Sequence, residues 1–96
     1  MNLYVLICTD KPDSLPVRMA TREAHLAFVK ASTNVAVKVG GPFLSPEGVM
    51  IGSMLILEAP SPEDVADFVK NDPYGKAGLF QSVDVRPWKV TVGALG

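Results

Sequence analysis

Between Asn2 and Thr9 the chain runs NLYVLICT, and both alternating sets of side chains are apolar. Leu3, Val5 and Ile7 fall on one side of an extended backbone, and Tyr4, Leu6 and Cys8 fall on the other. A strand apolar on both sides must be covered on both sides, so it belongs at the centre of a sheet. Every other element therefore has to be arranged to cover it.

Asp13 or Ser14 is a candidate N-cap for the next element, and Pro16 then falls in the first turn, where its missing N–H costs nothing. Ser14–Val35 reads as an amphipathic helix ending near Thr33–Asn34, with Glu23, Ala27 and Lys30 outward. Leu15, Met19 and Leu26 lie on one side of its apolar arc and Phe28 on the other, with Val29 between. Ala36–Phe43 reads as a strand broken by Gly40-Gly41-Pro42, and Ser45–Gly48 as a turn. Val49–Glu58 completes the hairpin. Ser61 is placed as the N-cap of a second helix, with Pro62 at its first position and Glu63 and Asp64 in its first turn. That helix stops near Lys70–Asn71. Asn71–Gly75 is a turn that can open a short helical turn ended by Gly78, and Leu79–Val92 is the last strand, with Pro87 marking an edge or bulge. The order β-α-β-β-α-β is the ferredoxin-like split βαβ unit, an α+β fold with two helices on one face of an antiparallel sheet. With 96 residues the chain is expected to form one domain, residues 1–96. The uncovered face also reads as apolar, and a second copy is its simplest cover, so a homodimer is expected.

Arg18, Arg22 and His25 project into the middle of the first helix's apolar arc. Cationic groups on a core-facing side are costly unless they have partners or line a cavity. That face is therefore a candidate pocket for a small-molecule ligand. His25 is the single histidine: as a residue type histidine suits acid–base work near neutrality, or this one is a helix histidine bonded to a neighbouring carbonyl or simply exposed. Arg18 is placed at the periphery. Arg22, nearer the middle, can hold a carboxylate by a bidentate fork, either Asp72 or a ligand anion, or it belongs to a solvated edge. Asp72 precedes Pro73, which suits a turn or N-cap, and equally it can orient His25. Gly41 and Ser53 are candidate ligand contacts on the hairpin, or mark a bulge and close packing. Tyr74 either offers its phenol to the cavity or packs on the second helix.

The net charge is −1, with charges interspersed, which does not match the basic footprint of a nucleic-acid binder. One histidine and one cysteine make a zinc site unlike this chain, and no phosphate-cradling motif occurs, so no metal or nucleotide cofactor is expected. Leu3–Cys8 is too short for a membrane span, and a lone Cys8 in a strand fits a reducing cytoplasm.

Several short motifs together resemble the YciI-like, or YCII-related, family. They are Tyr4-Val5, the run Asp10 to Leu15, Arg22-Glu-Ala-His25-Leu26, Gly41-Pro42, Gly52-Ser53, Asp72-Pro73-Tyr74, Gly78-Leu79-Phe80 and Arg86-Pro87-Trp88. The resemblance spans essentially the full length. It implies a dimeric ferredoxin-like α/β-barrel with a pocket holding a His–Asp pair, here His25 and Asp72. One branch of the family resembles a dehydrochlorinase of a chlorinated hydroxyquinol. By that likeness the chain is expected to be a cofactor-independent acid–base enzyme for elimination or isomerisation of a small oxygenated compound. The alternatives are an accessory module that binds an anion in the same pocket without turnover and a structural dimer whose polar face only packs. The short Ser45–Gly48 turn suggests a pocket rim, and hence a ligand, of its own.

Overall fold

A computed structural model describes residues 2–95. Its elements are β1 (Asn2–Asp10), α1 (Leu15–Ala31), β2 (Ala36–Leu44), β3 (Met50–Ala59), α2 (Pro62–Asn71), α3 (Pro73–Lys76) and β4 (Phe80–Trp88). The strands form one antiparallel sheet in the order β2-β3-β1-β4. The ferredoxin-like α+β fold is the one the element order predicts, with α3 as a four-residue addition.

β1 is central, as its two apolar sets require. Tyr4, Leu6 and Cys8 are buried under the helices, and Leu55, Leu57 and Ala59 of β3 lie beside them. Val35, Val65 and Phe68 close this core, with the rings of Phe28 and Phe68 5.1 Å apart where α1 meets α2. Leu3, Val5 and Ile7 are only half-buried on the face without helices.

Several boundaries differ from expectation, each for a local reason. α1 stops at Ala31, not near Thr33–Asn34, because Ser32 turns extended (φ −66°, ψ 128°). The Ser32 hydroxyl donates to the Val35 carbonyl at 2.9 Å, and the chain drops Val35 into the core. Ser14 occupies the N-cap, but its hydroxyl donates to the Pro12 carbonyl and makes no cap bond to the helix. β2 is not broken at Gly40-Gly41-Pro42: it runs through them, with register shifts between Val37 and Val39 and between Phe43 and Leu44. Its place at the sheet edge allows this, since an edge strand pairs on one side only and tolerates proline. β4 ends at Trp88, so Val90 and Val92 lie outside the sheet, and β4 is also an edge, as Pro87 requires. The helix start at Ser61 is as expected. Ser61 Oγ accepts from the Asp64 amide at 3.3 Å and donates to the Asp64 carboxylate at 2.7 Å.

Cys8 is 1% exposed. Burial pushes its thiol up to about 12, the nearby Asp72 and Asp10 carboxylates add to the rise, and Arg18 opposes it. The folded value lies above the unfolded one. The stability it contributes is therefore present below the unfolded value of about 8.5 and is lost as pH climbs toward the folded value. Only a thiolate reacts readily with alkylating reagents. Native protein at pH 8.5 is expected to resist iodoacetamide for hours while urea-unfolded protein is modified in minutes, as read by mass spectrometry. Equal rates would show that Cys8 is not sealed in the core.

Candidate active site

The site is built from side chains of four parts of the fold. On β1 the buried alternation Tyr4, Leu6, Cys8 continues one step to Asp10, which places a carboxylate under α1. On α1 the two buried residues are Arg18 and His25, seven positions and two turns apart, so they share a face. One side of the expected apolar arc is left outside, while Phe28 and Val29 pack on the core as expected. Leu15, Met19 and Leu26, expected to face the core, are 36%, 53% and 42% exposed. The polar residues go inside because each meets a carboxylate there.

Arg18 is not peripheral. Its Nε donates to Asp10 Oδ2 at 2.7 Å and its Nη2 to Asp10 Oδ1 at 2.8 Å, a bidentate fork inside the protein. Nη2 also donates to Ser53 Oγ at 2.9 Å, and the guanidinium carbon stands 4.8 Å from the centre of the Tyr74 ring. Burial works against the Arg18 charge, but the hydrogen bonds and charge of Asp10 outweigh it and hold the guanidinium more firmly protonated than usual. Arg22, in contrast, is exposed at the cavity wall and makes no hydrogen bond or ion pair among the described residues. It does not hold Asp72, and the expected ranking of the two arginines is inverted. The cause is Asp10, which only Arg18 reaches.

His25 Nδ1 lies 2.9 Å from Asp72 Oδ1 and 3.0 Å from Oδ2. A carboxylate only accepts, so Nδ1 carries the hydrogen and Nε2 is the free nitrogen of the neutral ring. Nε2 has no protein partner, yet no buried side-chain polar atom among the described residues lacks one, so Nε2 reaches the cavity. Asp72 also ends α2 and caps α3, its Oδ1 accepting from the Tyr74 amide at 2.9 Å. The two readings of Asp72 are therefore both met by one carboxylate. The Tyr74 ring packs between α1 and β4. It stacks on the imidazole at 4.1 Å and 15°, and Phe80 meets it edge-on at 6.1 Å. Burial raises the Tyr74 phenol above its ordinary value, Arg18 and Arg22 pull it down, and Asp72 adds to the rise.

These groups line a cavity of about 200 Å³ between α1 and the β2–β3 hairpin. Leu26, Val29, Val37 and Leu55 form its apolar walls, and Arg18, Arg22, His25, Ser53 and Tyr74 its polar surface. Gly40, Gly41 and Pro42 make the β2 wall, where even a methyl group on Gly40 would collide with Leu55. Cavities of about 150 Å³ hold a benzene ring, so this one has room for one substituted six-membered ring. Asp10 and the true place of Arg18 are what sequence reading missed. The period-2 continuation from Cys8 to Asp10, and the two-turn spacing from Arg18 to His25, were the signals that could have found them.

Fold and site together define a small ferredoxin-like α+β protein with a ring-sized polar pocket beneath its first helix. The YCII-related domain profile matches residues 2–89, and the chain belongs to that family. It is 33% identical over 94 residues to the protein YciI of Escherichia coli, covering 91% of this chain and 96% of that protein. It is also similar to the solved structure of 5-chloro-2-hydroxyhydroquinone dehydrochlorinase (TftG) from Burkholderia phenoliruptrix in complex with 2,5-dihydroxybenzoquinone. There the identity is 42%, the TM-score 0.80, and the coverage 91% of this chain and 93% of that one. A putative antibiotic biosynthesis monooxygenase from Bacteroides thetaiotaomicron, at 12% identity and TM-score 0.60, covers 99% of this chain and 93% of its own and shares the fold alone. Among the described residues no helix is long and apolar enough to cross a membrane.

Proposed function

We propose that this protein is a cofactor-independent acid–base enzyme acting on a small oxygenated ring compound, by elimination of the dehydrochlorination type or by isomerisation. The observation that carries it is His25: its Nδ1 is held by a buried carboxylate while its Nε2 faces a ring-sized cavity. An imidazole so held is oriented to take a proton from a ring hydroxyl or ring carbon and to return one. The negative charge that develops on a ring oxygen would meet Arg18, whose cation is fixed by Asp10, and the Ser53 hydroxyl. Ser53 already accepts from Arg18, so its own hydrogen is free to donate. Donors set in place before charge develops need no reorganisation during the reaction. Arg22, Tyr74 and the Gly41 backbone would complete the ligand contacts. The similarity to the dehydrochlorinase supports a chlorinated hydroquinone as the first substrate to try.

Incubated anaerobically with 5-chloro-2-hydroxyhydroquinone and no added metal or nucleotide, the protein is expected to release one chloride per substrate, read by ion chromatography. Binding of 2,5-dihydroxybenzoquinone without chloride release from the chlorinated compound would favour a binding module instead. The free, buried Cys8 fits work in a reducing compartment such as the cytoplasm.

The same reading includes a homodimer. Val5 and Ile7 of β1, Met54 of β3, Val39 and Phe43 of β2 and Trp88 of β4 share the sheet face opposite the helices, and all are exposed or half-buried. An apolar face of this extent calls for a cover. Sedimentation velocity at micromolar concentration is expected to give twice the chain mass, and Val5→Lys to give a monomer. A wild-type monomer would remove the dimer from the proposal.

A further inference from the structure

A second cavity, of about 460 Å³, lies beside the first and is larger than it. The two are in series along the same pair of elements. On α1, Leu15 of the first turn lines the second cavity and Arg18, one turn on, lines the first. On β3 and the residue before it, Val49 and Ile51 mark the second, Ser53 and Leu55 the first, and Met50 lines both. The buried ion pair spans the same divide: Asp10 faces the second cavity and Arg18 the first. Met50 and this salt bridge thus stand where the two cavities meet. Met50 pairs with Leu44 where the β2–β3 register shifts, and bulges of this kind re-aim side chains. Methionine, with three rotatable bonds, adapts its shape more easily than any branched side chain.

The second cavity has a polar rim, with Thr9, Ser14 and Ser45, and an apolar wall. Leu15, Val49 and Ile51 are 36%, 40% and 47% exposed, so large apolar side chains stand uncovered around it. Its charged residues besides the paired Asp10 are Lys11, Asp13 and Glu47, of both signs, so nothing there singles out an ion. A space with such an apolar wall, meeting a ring-sized pocket at Met50, fits a ligand with two parts.

We infer that the protein takes ring compounds bearing an aliphatic side chain, with the ring at His25, the chain passing Met50, and its end held against Leu15, Val49 and Ile51. This rests on the ring-ligand reading of the first cavity and adds a substrate class to it. Each methylene moved from water into such a space strengthens binding by about fourfold. A four-carbon chain is therefore expected to gain more than about tenfold even if only half of it is buried.

The test compares 2,5-dihydroxybenzoquinone with its 3-butyl homologue by isothermal titration calorimetry. The butyl homologue is expected to bind wild-type protein more than tenfold tighter than the parent. In Val49→Trp, which fills the second cavity, that ratio is expected to fall below threefold. Ile51→Trp, on the same wall, serves as the independent variant, and circular dichroism verifies folding of each. Equal affinity of wild type for the two homologues, or a gain that survives both tryptophan variants, overturns the inference and leaves the ring site standing. Binding of neither homologue overturns the ring-ligand reading itself, and the inference with it.

Discussion

His25→Ala is expected to lower kcat/KM for the ring substrate by about 10²- to 10⁴-fold, the usual worth of a positioned acid–base group. The loss should fall on kcat, because the imidazole is argued to move a proton and not to supply the main binding contact. Affinity for 2,5-dihydroxybenzoquinone should change only a few-fold. Stacking between His25 and Tyr74 complicates the alanine variant, since it leaves one face of the Tyr74 ring open. Asp72→Asn separates the roles. An asparagine oxygen can still accept from the Tyr74 amide, so the α2–α3 junction keeps its cap, while the charge beside Nδ1 is gone. Ring-nitrogen NMR of wild type, recorded where the ring is neutral, should show the tautomer with the proton on Nδ1 and Nε2 free. His25→Ala with kcat within tenfold of wild type would remove the histidine from the chemistry.

The largest stability effect is expected at Asp10. Asp10→Ala leaves the Arg18 cation buried without its carboxylate, and removal of one partner from a buried pair costs about 3–5 kcal/mol. For a domain of this size that amounts to a fall in Tm of upward of about 12 °C. The pair's net worth is a different quantity, because burying two charges is itself costly. Asp10→Leu combined with Arg18→Met is therefore expected to recover much of the loss, with stability near wild type and turnover still poor. Chemical denaturation of the three proteins decides the matter. A single Asp10→Ala variant within 1 kcal/mol of wild type would mean that water reaches Arg18 and screens it. Arg86 and Asp84 offer the contrast. Their 2.8 Å contact is exposed in the single chain, and there it is expected to contribute little; in the proposed dimer it would lie on the covered face beside Val5 and Ile7.

What could be read in the sequence divides along the line between local and non-local causes. The central place of β1 follows from its own eight side chains, and the Ser61 cap from residues within three positions. The halt of α1 at Ala31 was not legible, because it depends on Ser32 finding the Val35 carbonyl and on Val35 having a core to enter. In the site, His25 and Asp72 could each be singled out, but their separation of 47 positions hides the contact from any periodicity. Arg18 was misplaced because helix geometry alone cannot say which of two arginines meets a carboxylate eight residues before the first of them. The exposed Leu15, Met19 and Leu26 show the same limit: an apolar arc gives a direction only if the polar residues within it lack partners.

The β2 wall of the cavity has a consequence beyond ligand shape. β2 is an outer strand, and outer strands are where one protein molecule recruits another into aggregates. Gly40 and Gly41 offer no side chains for an incoming strand to lock against, and Pro42 has no N–H to give it. The three residues that leave room for a ring on the inside thus also make the outer rim of the sheet a poor template for fibril growth.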